Sequence, residues 1–232
     1  MKPIFISSES GRGFSENDFL DKILEICDEH KKQKRALAFA FLIYDIEDAS
    51  VRNVLENTVY WEALNKVAGK HLTVFYIESK LPQKTTPVSK VNVASQPLPG
   101  VMECLTGVNL GNLGLFGAKD KVAKSFGLPA EVKTPLVLFF QTDGKNVLDH
   151  FIVTLDTTRT EDSFLELKAH IDCAVASVKS VPDENYDNHV PVFELIRNEV
   201  QKGIRIRFIS KKIVPKIGAG TVLALVKFFT GF

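Results

Sequence analysis

Cysteine is scarce in this chain of 232 residues: there are three, Cys27, Cys104 and Cys173, 77 and 69 residues apart. No two stand at the spacing of a thiol–disulfide or metal-binding motif, and an odd count leaves one unpaired in any disulfide scheme. A reduced compartment follows as the expectation. The histidines, His30, His71, His150, His170 and His189, are scattered singly, so no zinc site of the ordinary kind and no cofactor is implied. Excess charge is lacking too, because 29 basic residues face 28 acidic ones, and no global field favours nucleic acid. The first apolar run stops at Ser7, too early for a secretory signal. No Asn-x-Ser/Thr acceptor, Gly-Lys-Ser/Thr loop, G-x-G-x-x-G or G-x-S-x-G occurs. The expected location is the cytoplasm.

What is present is an ordinary globular composition, 45% hydrophobic and 25% charged. Ser15 to Asp18 reads as a capping box ahead of Phe19, Leu20, Ile23, Leu24 and Cys27 at helical spacing. Lys31, Lys32, Lys34 and Arg35 suit the negative end of that helix. The apolar run Ala36–Tyr44 predicts a buried strand. After the acidic turn Asp45–Ser50, one helix is predicted through Val51, Val54, Leu55, Val59, Leu64 and Val67, ended by Gly69. Leu72–Ile77 is a second buried strand, which completes a βαβ unit with parallel strands.

From 79 to 117 four prolines, then Gly107, Gly111, Gly114 and Gly117, break every period, predicting an irregular insert. A short helix over Lys119–Phe126 follows, then strands Leu136–Phe140 and Val147–Leu155 about a turn at Asp143-Gly144. Thr160 opens a helix with Phe164, Leu167, Ile171, Val175 and Val178 on one face.

This order, and the stretch from Lys121 through Gly127-Leu128-Pro129 and Thr134-Pro135 into Leu136–Phe140 and Asp143-Gly144-Lys145, resembles the thioredoxin-like superfamily. The likeness covers roughly residues 1–180 and implies a three-layer α/β/α sandwich with a central mixed sheet, together with a cis peptide at Thr134–Pro135. It also implies that the groove beside Pro135 and the turn of Asp45, Glu47, Asp48 and Ser50 holds an extended chain. The departure is at that turn, Tyr44-Asp-Ile-Glu-Asp-Ala-Ser-Val51, where family members carry Cys-x-x-Cys and this chain carries carboxylates. Those carboxylates stabilise a helix N-terminus but exchange no thiols, so disulfide oxidoreductase activity is not expected. The stretch Ser50-Val-Arg-Asn-Val-Leu-Glu-Asn is further similar to thioredoxin-like UAS domains of ubiquitin-pathway adaptors, which implies a module that binds a protein or a fatty acyl group.

Beyond this body, 181–199 reads as a linker and short helix, and 200–232 as a basic, apolar appendage. From Val200 onward there are seven basic residues and no acid, against 22 basic and 28 acidic residues before it. Gly203–Ile209 alternates apolar residues with Arg205 and Arg207, a strand pattern with one basic face. Ten uncharged residues from Ile217 to Val226 are too few to span a bilayer. With Arg205, Arg207, Lys211, Lys212 and Lys216 beside Phe228 and Phe229, the segment suits a contact with an anionic membrane surface or a protein partner. Packing on the body, or pairing with a second copy, are the other placements. Nucleic acid is disfavoured, since Phe208 alone interleaves the basic residues. The sequence therefore predicts a non-redox binding or scaffolding module with a protein or peptide partner. The alternative is a thiol-dependent transferase or peroxidase-like enzyme using the lone Cys104.

Overall fold

A computed structural model describes residues 4–5, 16–33, 36–45, 47–77, 105–109, 115–129, 131–155, 159–182 and 189–213. The elements in chain order are β1 Ile4–Phe5, α1 Glu16–Lys32, β2 Ala38–Ile43, α2 Ala49–Glu56, α3 Thr58–Ala68, β3 Leu72–Ile77, β4 Leu105–Asn109, α4 Leu115–Ser125, β5 Leu136–Thr142, β6 Val147–Thr154, α5 Thr160–Lys179 and α6 His189–Ile213. They form a mixed α/β fold around a six-stranded sheet of order β1-β4-β3-β2-β5-β6. The first four strands in that order run parallel, and β5 and β6 are antiparallel to their neighbours.

Alternation along the strands divides the core between the two faces of the sheet. Ala38, Ala40 and Leu42 of β2 join Val74, Val137, Phe139 and Val153 on one face, under Val54 of α2, Leu64 of α3, Ile171 and Val175 of α5, and Phe193 and Ile196 of α6. Phe39, Phe41 and Ile43 point to the opposite face with Phe75, Leu138 and Phe140, under Phe19 and Ile23 of α1 and Val122 of α4. That second face is largely aromatic: Phe140 lies 4.9 Å from Phe126, 5.7 Å from Phe39 and 6.3 Å from Phe75 between ring centroids. Because β2 and β5 are covered on both faces, they read as continuous apolar runs rather than alternating ones.

Four readings of the sequence are corrected. The helix predicted through 51–67 is two helices, broken at Asn57, whose backbone is extended and whose Oδ1 accepts the N–H groups of Val59 and Tyr60. A side chain that caps a new helix N-terminus competes with continuation of the old one. The insert 79–117, read as irregular, contains β4 and the first residues of α4. β4 was hidden by Gly107, which pairs in register with Tyr76 and forms part of a parallel ladder supplied by β3 and β1.

The strand predicted at Gly203–Ile209 is helix, because α6 continues without a break through 199 and 200 to Ile213. Its buried residues Val192, Phe193, Ile196 and Val200 recur at helical spacing, and Ile204 packs against the same cluster. The boundary placed between a linker at 181–199 and an appendage from 200 thus falls inside one helix. Lys216, Phe228 and Phe229 lie outside the described residues. Among those described, no helix is long and apolar enough to cross a membrane.

Candidate functional site

The C-terminal end of β2, the start of α2 and the entrance to β5 converge on Asp45. β2 and β5 are direct neighbours, with Ile43 opposite Leu136, so Asp45 and Thr134 come to the same end of the sheet although 89 residues separate them. The Thr134 hydroxyl donates to Asp45 Oδ2 at 3.3 Å, and the same oxygen accepts from Lys119 Nζ of α4 at 2.6 Å. All three side chains are half-buried. The pair is thus screened less by water than a surface pair, which gives the contact directional strength.

The turn itself is self-bonded. Asp48 precedes α2 as its cap residue, yet its side chain makes no bond to the helix; Oδ2 accepts the backbone N–H of Asp45 at 2.6 Å. The reading of this carboxylate as a helix-capping side chain is therefore corrected, and its role is to fold the turn back on β2. Asp48 N–H donates in turn to the Asp45 carbonyl at 3.0 Å. Glu47 is exposed and Ser50 half-buried in the first turn of α2. The peptide between Thr134 and Pro135 is cis, Pro135 is buried, and its carbonyl accepts Leu155 N–H at 2.8 Å.

Of the groove residues read from the sequence, Asp45, Asp48 and Thr134 are joined by hydrogen bonds and Pro135 adjoins them in the chain. No contact of Glu47 or Ser50 with the cluster is seen among the described residues. Lys119 was missed as a member. It stood in the sequence only as the start of a short helix, and nothing local to it signals a partner 74 residues away. The arrangement is a polar cradle made of one ammonium, one hydroxyl and two carboxylates. Chemically it can orient the backbone or a polar side chain of a bound segment.

The two described thiols, on α1 and α5, are not part of it. Cys27 is fully buried on α1 and burial pushes its thiol well above the usual range, opposite to what a nucleophilic thiolate needs. Cys173 is half-buried on α5, and Cys104 lies outside the described residues. Among the described residues no group of three or more His, Cys, Asp or Glu is placed to hold a metal ion. Arg205 is exposed on α6; Arg207, Lys211 and Lys212 belong to the last turns of that helix. No family model, curated protein or solved structure matches this chain at a significant level.

Proposed function

We propose that the chain is a non-redox, thioredoxin-like binding or scaffolding module that holds an extended peptide of a protein partner at the Asp45–Thr134 cradle. The carrying observation is the Lys119–Asp45–Thr134 constellation at the end of β2, in the turn where the resembling family carries its thiols. A turn whose polar groups are already bonded to one another is pre-organised, so a peptide laid across it loses little to reordering. The mixed sheet, in which a βαβ unit is extended by an antiparallel hairpin beginning at Pro135, supports the same reading.

The basic end of α6 and the segment after it then recruit the module to an anionic membrane or to the partner. A cytoplasmic chain, peripheral at a membrane when so recruited, fits this arrangement. For the thiol-enzyme alternative, which uses Cys104, Cys27 offers no second nucleophile, because it is buried with its thiol raised.

The test is selection of peptides from a displayed random library on the full chain, with binding then measured on wild type and on Thr134→Trp. Peptides that bind wild type and lose affinity at least tenfold in the variant uphold the cradle. Failure to select any peptide, or equal binding to both proteins, removes it. For the tail, flotation with vesicles containing phosphatidylserine compares wild type with Lys211→Glu/Lys212→Glu/Lys216→Glu at low and high salt. Loss of flotation in the variant assigns the contact to lipid, and no flotation of either protein moves it to a protein partner.

A further inference from the structure

The outer surface of α3 and α5 carries apolar side chains that no described element covers. The two helices are joined there by the stacked rings of Tyr60 and Phe164, whose centroids are 4.5 Å apart. Successive helical residues are turned by about 100°, so Val59, before Tyr60, and Leu165, after Phe164, both rise from that stack towards solvent. They are 71% and 60% exposed. The result is a shallow groove with an aromatic floor and two aliphatic banks, an apolar patch of the kind that another stretch of chain covers.

We infer that this groove docks the segment of the same chain that follows α6, residues 214–232. α5 and α6 pack on each other and only residues 180–188 join them, which makes the pair antiparallel. At about 1.5 Å per residue, α5 is about 30 Å long and α6 about 37 Å. α6 therefore ends at or beyond the first turn of α5, and Leu165 lies in the second. The 19 residues after Ile213 can extend over about 60 Å, enough to round α5 and lie along the groove. Their chemistry suits it, with the uncharged run from Ile217 to Val226, then Phe228 and Phe229, and no acid. Charge favours the same placement. The exposed carboxylates of Glu161 and Glu62 stand one turn before Leu165 and one turn after Val59, whereas the segment is charged only by Lys216 and Lys227. Of the cations nearby, Lys168 pairs with Asp172, and Lys66 lies a further turn along α3. A tether this short also holds the segment at a local concentration of the order of millimolar, which a free partner must exceed. The inference is independent of the peptide-binding reading, since none of these residues belongs to the cradle.

The experiment is limited trypsin digestion of the full chain, following cleavage after Lys216 and Lys227 in wild type and in Val59→Glu/Leu165→Glu. Both substituted positions are exposed, and circular dichroism checks that the variant is folded. Cleavage should be at least tenfold faster in the variant, with wild-type protection the same at every protein concentration. A photoreactive benzoylphenylalanine placed at Leu165, in a mixture of isotope-labelled and unlabelled chains, should capture residues 217–229 of its own chain. The same probe at Leu195 on α6 should capture them at least tenfold less. Equal cleavage of the two proteins overturns the inference. So does a probe at Leu165 that captures no residue of 217–229, captures another segment, or links differently labelled chains, the last of which would assign the groove to a second copy.

Discussion

The cradle at Asp45 can be tested as an energetic unit by removing its charges singly and together. With 2.6 Å between Lys119 Nζ and Asp45 Oδ2, the gross attraction at an effective dielectric constant of 20 is about 6 kcal/mol. The side chains are 19% and 28% exposed, and their desolvation offsets most of that attraction. Exposed pairs couple by at most about 1 kcal/mol, and contacting partly buried groups by about 0.5–3 kcal/mol. A double-mutant cycle of Asp45→Asn, Lys119→Met and the double variant should therefore return a coupling of about 1–2 kcal/mol. Asp45→Asn should cost more than Lys119→Met, because it also weakens the Thr134 contact. Urea unfolding at pH 7, with the slope unchanged across the set, is the measurement. A coupling below about 0.3 kcal/mol would show that the contact is loose, and the pre-organised cradle would lose its physical basis.

Other perturbations read the rest of the framework. Phe140→Ala empties the centre of the aromatic face and should cost about 3–5 kcal/mol, measured by the same unfolding assay. Asn57→Ala removes the acceptor for two N–H groups at the start of α3 and should cost about 1 kcal/mol, with Asn57→Asp close to wild type. Asp143 accepts the N–H groups of Lys145 and Asn146, which lower its carboxyl below the usual value. A depressed pKa contributes stability that is present above the unfolded-state value and is lost as pH falls through the folded one. Thermal unfolding should therefore show stability declining below about pH 4, with a smaller decline in Asp143→Asn; an identical acid limb in both proteins refutes this assignment.

Local chemistry made much of the fold legible. Ala36–Tyr44, Leu72–Ile77 and Leu136–Phe140 are apolar throughout because central strands are covered on both faces, and each became a strand of the sheet. The Asp143-Gly144 turn was readable for an equally local reason: Gly144 takes a φ of +93°, a conformation that glycine adopts without strain. The break at Asn57 was not, because an asparagine between helical stretches reads equally well as a surface residue until its side chain is seen to turn onto the next two N–H groups. Gly203–Ile209 failed through a tie of periods. Its alternation is compatible with a strand, and only the packing of Val192, Phe193, Ile196, Val200 and Ile204 against the core selects the helix.

The sequence alone determined the absence of a Cys-x-x-Cys pair, the acidic turn after the first long apolar run, the buried strands and the basic character of the last 33 residues, since these are properties of neighbours in the chain. Tertiary structure alone decided that Lys119 meets Asp45, that β4 lies between β3 and β1, and that Arg197 faces Asp149 across the edge of the sheet. Each of these joins residues 48 or more positions apart, or depends on a ladder supplied by distant strands. Their energy comes from desolvated contacts that form only once the sheet has brought the segments together, so no local pattern carries a record of them.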